Sequence, residues 1–111
     1  MGLATSEVVI QLVDLLGATA VAAIGGVRET RAVQQWATGL REPQRPHVLR
    51  FALQIALMIC TMRSRELARA WFHGANPALG DRVPLGLLRD QPLESVQVPI
   101  MAAARTFAAR A

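Results

Sequence analysis

Side chains that carry hydrogen-bonding groups recur at the spacing of one helix face between residues 28 and 41. They are Arg31, Gln34, Gln35 and Thr38, and they are flanked by Arg28 and Arg41. The opposite face of the same segment carries Val33, Trp36 and Leu40. This pattern predicts a helix over residues 29–38 that buries its apolar side and presents its polar side.

These residue types at this spacing are typical of a helix that reads base edges in the major groove of duplex DNA. Arg31 can bind guanine bidentately, and Gln34 or Gln35 can bind adenine in the same way. Arg28 and Thr38 suit contacts with phosphate, and Arg41, Arg45 and Arg50, just beyond, could bind the flanking phosphate backbone. The alternative interpretation is the solvated face of a helix in a bundle, which has the same pattern.

The predicted helix follows a short helical segment over residues 19–24 and a turn at Gly25-Gly26, so the order is that of a helix-turn-helix. The charge distribution agrees with this interpretation. Residues 28–50 carry five Arg against two Glu, whereas residues 1–27 carry only Glu7 and Asp14. A basic band of this kind predicts a polyanionic partner, although ordinary solvated arginines would give the same imbalance.

The sequence carries no recognisable catalytic set. It has no phosphate-binding loop, no nucleophile elbow and no dinucleotide fingerprint. His47, His73 and Cys60 have no spacing that would hold a metal ion. We therefore expect no enzyme activity, no metal and no cofactor.

Composition favours an all-α protein. The chain of 111 residues is 52% hydrophobic and only 18% charged, which is the opposite of a disordered protein. It contains nineteen Ala and fourteen Leu, the best helix formers, and no Tyr. The single cysteine, Cys60, lies in an apolar run and is predicted to be a small buried residue.

The apolar periodicity divides the chain into seven predicted helices with Gly- or Pro-containing connections. The predicted helices cover residues 7–16 (after an N-cap at Ser6), 19–24 (opened by Thr19), 29–38, 46–62, 64–73 (opened by Ser64), 84–89 and 93–111. Pro99 predicts a kink or break near Val98 in the last of them. Asp14 and Gly17 interrupt the apolar stretch over residues 8–27, so no membrane helix is expected and the chain is predicted to be cytoplasmic.

The predicted helix over residues 46–62 is apolar on all but one narrow side. The polar stripe continues past its end and consists of His47, Arg50, Gln54, Thr61 and Arg65. A helix of this kind must be covered on most sides, and so short a chain offers little cover. The pattern predicts a homodimer seam, with a central core helix within one chain as the alternative.

Two segments resemble a known family. Residues 22–44, AAIGGVRETRAVQQWATGLREPQ, resemble the helix-turn-helix of Xre-type repressors. Residues 70–89, AWFHGANPALGDRVPLGLLR, are similar to the signature of the Xre/MbcA/ParS-like toxin-binding domain. In that signature a Trp precedes Asn-Pro-x-Leu-Gly, an Arg, Pro-Leu and Leu-Leu. The chain departs from the family pattern at Asp81, Gly86 and Pro99, and its turn between Gly26 and Val33 is one residue longer than in the usual helix-turn-helix.

The resemblance implies an antitoxin of a bacterial toxin–antitoxin operon. Its region 1–45 would be a helix-turn-helix that binds operator DNA as a dimer or higher assembly and represses its own operon. Its region 46–111 would be a small helical domain that binds and covers a RES-type toxin, which degrades NAD. The implied toxin-binding residues are Asn76, Leu79, Arg82, Arg105, Phe107 and Arg110.

The resemblance also implies that the C-terminal segment faces the toxin. We expect its apolar face to supply binding energy, and we expect a chain without residues 99–111 to remain folded. Arg105 and Arg110 could instead simply solvate an Ala-rich helix. The competing functions are a stand-alone repressor whose C-terminal half only dimerises, and an interaction module that does not bind DNA.

Overall fold

The computed structural model describes residues 2–110 of the chain. Met1, the first residue of the predicted region 1–45, and Ala111, the last residue of the predicted region 46–111, lie outside the described residues. Within that range the fold is all-helical, with seven α-helices and one 3-10 turn. The helices are α1 (Thr5–Leu16), α2 (Ala18–Ile24), α3 (Thr30–Thr38), α4 (Pro46–Met62), α5 (Arg65–His73), α6 (Pro84–Asp90) and α7 (Leu93–Ala109), and the 3-10 turn is Pro77–Leu79.

The helix boundaries follow from local sequence, with two corrections. Ser64 caps α5 as predicted, because its side chain accepts a hydrogen bond of 3.0 Å from the backbone N–H of Leu67. Ser6 and Thr19 are not caps. Ser6 lies inside α1, and Thr19 lies inside α2, which follows Gly17 directly. Gly17 has a φ of 90°, so a glycine makes this sharp junction without a capping side chain.

Pro99 does not break α7, so of the predicted kink or break near Val98 the break is wrong and the kink stays a prediction. The helix runs continuously from Leu93 to Ala109 with the proline inside it. Pro99 lies on the exposed side, where water can bind the carbonyl group that lacks its usual N–H donor. The opposite side of α7 is buried and is built from Leu93, Val96, Ile100, Ala103, Ala104 and Ala108.

Helix α4 is the centre of the core and contacts α1, α2, α5 and α7. Its buried residues are Val48, Leu49, Phe51, Ala52, Leu53, Ile55, Ala56 and Ile59. The apolar faces of α4 that suggested a dimer seam are therefore covered by other helices of the same chain. This matches the alternative prediction, a central core helix within one chain. The homodimer stays a prediction. Cys60 is half-buried against this core rather than fully buried.

The polar stripe beside α4 is tied to its neighbours. Arg50 donates hydrogen bonds to the carbonyl oxygen of Leu3 and to Oγ1 of Thr5. Arg65 donates to both the carboxylate and the carbonyl oxygen of Asp14. The hydrogen bond from Arg65 to the carboxylate lowers the pKa of the Asp14 carboxyl group, because the guanidinium stabilises its charged form.

A single hydrophobic core crosses the boundary between the predicted regions 1–45 and 46–111. Buried side chains of all seven helices belong to it, and α2 packs directly against α6. Arg45 reinforces this contact by donating hydrogen bonds to the carbonyl oxygens of Ile24, at the end of α2, and Leu88, in α6. The two predicted regions are thus packed together.

Candidate nucleic-acid and partner-binding surfaces

The first candidate surface is the outer face of α3, whose inner face is held in place by two buried side chains. Val33 and Trp36 are almost completely buried, and α3 packs against α1 and α2. The Trp36 ring lies over Gly25, which follows α2. A methyl group on Gly25 would lie only 2.5 Å from Cη2 of Trp36. Glycine at this position therefore allows the ring to approach the backbone and fixes α3 relative to α2.

Residues 25–29 connect α2 to α3. Gly26 has a φ of 81°, a left-handed conformation that glycine adopts without strain. The N–H of Val27 then returns to the carbonyl oxygen of Ala22 at 2.9 Å. Val27 is half-buried and packs against the core. These contacts give the connection a defined path from α2 to α3.

The outer face of α3 presents the predicted base-reading residues. Arg31 and Gln34 are exposed, as is Arg28 in the preceding turn. Within residues 2–110, no side-chain hydrogen bond or ion pair involves any of these three residues. Their donors and acceptors are therefore available to an external partner.

Three further residues of the predicted surface contact one another. Arg41 donates a hydrogen bond of 3.1 Å to Oε1 of Gln35, and the Thr38 hydroxyl donates to the Gln35 carbonyl oxygen. Gln35 is half-buried, so it is less available than Gln34. Its bond to Arg41 instead places a guanidinium beside the end of α3.

Two arginines that the sequence suggested as additional phosphate contacts, Arg45 and Arg50, have structural roles in this fold. The hydrogen bonds of Arg50 hold the segment that leads into α1. Arg45 is half-buried, and its guanidinium binds the carbonyl oxygens of Ile24, Leu88 and Arg89. Each of these carbonyls lies near a helix end, where backbone acceptors lack intrahelical donors.

The second candidate surface is a groove of about 400 Å³ between α5, the 3-10 turn and the end of α7. Its walls include Asn76, Phe107 and Arg110, three of the residues that the sequence assigned to partner binding. Phe107 is held from the other side by Arg63, whose guanidinium lies 5.1 Å from the ring centroid and donates to the Phe107 carbonyl oxygen. The structure thus brings these three predicted residues together.

The other predicted partner-binding residues lie outside the groove walls. Leu79 packs partly against the core, and Arg105 is exposed on α7. Arg82 is exposed and lies close enough to Asp90 to affect its titration. The hydrogen bond from Arg89 lowers the pKa of the Asp90 carboxyl group, and the charges of Arg82 and Arg45 act in the same direction.

The loop that carries Asn76 is shaped by its own hydrogen bonds. The side chain of Asn76 accepts from the N–H of Ala78, and its backbone pairs with Arg82. Gly80 and Asp81 between them have φ values of 67° and 63°, as the two central residues of a type I′ turn require. The observed hydrogen bonds of Asn76 therefore serve to shape this loop.

The apolar face of α7 cannot supply binding energy to a partner in the way the sequence suggested. It is buried against α4 within the chain, and Ile100 and Ala104 are fully inaccessible. The expectation that the chain folds without residues 99–111 conflicts with the same observation. Phe107, the exposed arginines and the groove walls remain accessible to a partner at this end.

Trp71 is the Trp of the family signature and was also expected in the core, but the sequence did not reveal that it lines a groove. It is buried, and its indole Nε1–H has no hydrogen-bond acceptor in the described part of the chain. A buried indole N–H usually has an acceptor. A tryptophan beside a loop is a signal that a sequence reading could have flagged.

Among residues 2–110, no group of histidine, cysteine and acidic side chains is arranged to hold a metal ion. No α-helix in that range combines the length and apolar character needed to cross a bilayer. Comparison of the chain with protein-family models, curated proteins and solved structures gives no match.

Proposed function

We propose that this protein is a non-enzymatic antitoxin that binds operator DNA through α3 and a RES-domain toxin through its C-terminal half. The observation that carries the DNA-binding part is the asymmetry of α3. Trp36 fixes its inner face against Gly25, while Arg31 and Gln34 on its outer face have no partner within the described chain.

In this proposal α3 lies in the major groove. Arg31 and Gln34 contact base edges, since their fork-shaped groups can make paired hydrogen bonds to guanine and adenine. Arg28 and Arg41 contact phosphates on either side and so set the position of α3 along the duplex. Release of counterions from the phosphates makes the affinity depend strongly on salt concentration.

The test of DNA binding uses the duplex immediately upstream of the protein's own coding sequence. Fluorescence anisotropy at several salt concentrations should show binding to this duplex that is tighter than binding to a scrambled duplex. Binding should also weaken steadily as salt concentration rises. Equal affinity for both duplexes, or no binding at low salt, would remove operator recognition from the proposal.

The partner-binding part is supported by the groove between α5 and α7, which brings Asn76, Phe107 and Arg110 together. We propose that this end of the molecule contacts the toxin in the cytoplasm, and that a homodimer of the antitoxin presents two copies of α3 to DNA. Co-expression with the product of the adjacent gene, followed by co-purification and a toxicity assay, tests the assignment. Loss of toxicity together with a stable complex is the expected result.

A stand-alone repressor is the second candidate function, because the available side chains of α3 support DNA binding whether or not a toxin exists. The two functions differ in one result. A repressor binds its upstream duplex but forms no complex with the adjacent gene product. An antitoxin does both.

A further inference from the structure

The groove between α5 and α7 has apolar walls and one charged side chain. Leu67 and Trp71 of α5 face Ala103 and Phe107 of α7 across it, and Arg110 lies at the end of α7. None of the residues between 2 and 110 that line it is acidic. Its volume of about 400 Å³ is within the range of natural ligand sites, about 300–1,000 Å³.

Asn76 and Thr106, two other polar side chains of the groove, are each engaged through one atom. The Asn76 side-chain oxygen accepts from the N–H of Ala78, and the Thr106 hydroxyl donates to the carbonyl oxygen of Ala102. No hydrogen bond or ion pair within residues 2–110 involves the Arg110 side chain. The groove therefore offers an apolar surface beside one available cation.

We propose that this groove receives an apolar side chain from a partner protein, and that a neighbouring carboxylate on the same segment pairs with Arg110. Charge complementarity selects an acidic segment, because Arg110 is the only charged side chain among the described residues that line the groove. The ring of Trp71 lines the same wall, but its indole N–H is buried beneath the surface, so Trp71 offers the segment apolar contact area and no hydrogen bond.

This inference rests on the proposed partner-binding function and states its chemistry, namely an apolar residue next to Asp or Glu. It also assigns roles to the groove residues. Trp71 and Phe107 provide the contact area, and Arg110 sets the orientation of the segment. Arg105 lies on the same helix but does not line the groove, so it should contribute little to this contact.

The test is a selection of short random peptides displayed on phage against the full-length protein. A selected peptide is then synthesised and titrated against three variants. Ala70→Phe fills the groove from an exposed position on α5, Arg110→Glu reverses its charge, and Arg105→Glu is the matched control on α7. Circular dichroism checks that each variant is folded.

The expected peptides combine an apolar residue with an adjacent Asp or Glu. Ala70→Phe and Arg110→Glu should each weaken binding by about tenfold or more, equivalent to about 1.4 kcal/mol, whereas Arg105→Glu should change it much less. The indole N–H resonance of Trp71, assigned with a Trp71→Phe variant, should shift when the peptide binds.

Selection of peptides without acidic residues, or equal effects of Arg110→Glu and Arg105→Glu, would overturn the inference. Self-association that Ala70→Phe abolishes would instead assign the groove to a second copy and would also overturn it. The peptide result is independent of the adjacent gene. A toxin complex that survives both groove variants would contradict this inference but leave the proposed function intact.

Discussion

The ring of Trp36 lies so close to Gly25 that a methyl group on the glycine would be 2.5 Å from Cη2 of the indole. Real Cβ atoms essentially never come this close to another heavy atom, so Gly25→Ala must displace the Trp36 ring, α3 or the turn. We expect this variant to lower the free energy of unfolding by about 1–3 kcal/mol, the usual cost of overpacking. Thermal or chemical denaturation measures the change.

Gly86→Ala is the matched control for that substitution. Gly86 lies inside α6, and the nearest atom to an added methyl group is the end of the Arg89 side chain at 3.8 Å. This variant should raise the free energy of unfolding by about 0.5–1 kcal/mol, because alanine is favoured over glycine inside a helix. If both variants change stability equally, the Trp36–Gly25 contact does not hold α3 in place.

Substitutions of Arg45 and Arg41 should have different effects, the first on stability and the second on DNA binding. Arg45→Met removes hydrogen bonds that join the ends of α2 and α6, and we expect a loss of about 2 kcal/mol because such charge-assisted bonds contribute roughly 1.5–3 kcal/mol. Arg41→Met removes only an exposed bond to Gln35 and should leave stability nearly unchanged while weakening DNA binding. The opposite pattern would contradict these assignments.

The C-terminal helix should be needed for folding. Ile100 is fully buried, and its replacement by alanine should cost about 2–5 kcal/mol. Val98 on the same helix is 76% exposed, so Val98→Ala should change stability by no more than about 0.5 kcal/mol. A chain that lacks residues 99–111 should lose cooperative unfolding, and retention of a sharp transition would show that α7 is not part of the core.

Asp81 has a left-handed backbone conformation, with a φ of 63°. Asparagine and glycine adopt it more readily than alanine does, and the penalty for an ordinary residue is about 1–2 kcal/mol. Asp81→Ala should therefore reduce stability by about 1 kcal/mol, whereas Asp81→Asn should have little effect. Equal losses in the two variants would assign the effect to the lost charge instead of the backbone.

The sequence predicted the positions of the helices better than the way in which the helices pack against one another. Helical periodicity located α3, and Ser64 located the start of α5, because these signals are local. The roles of Arg45 and Arg50 could not be predicted, since their acceptors lie far away in the sequence and only the folded chain brings them near. The same holds for α4, whose cover comes from four other helices.

The candidate surfaces show the same division. The helical spacing of polar and apolar residues predicted which side of α3 is exposed, and the structure agrees for Arg31 and Gln34. No spacing rule could show that α7 buries its apolar face in the core or that Asn76 and Arg110 line one groove. Both depend on how α7 packs against α4 and the 3-10 turn.

The most direct test of the DNA-binding claim compares the wild-type protein with a variant that carries both Arg31→Ala and Gln34→Ala. Each is titrated against a duplex that the wild-type protein selects from a random pool, and against an unrelated duplex. The account predicts that the double variant keeps its unfolding temperature but loses its preference for the selected duplex, since each base contact contributes about 1–3 kcal/mol of discrimination. A wild-type protein that selects no sequence, or a double variant with undiminished preference, would contradict it.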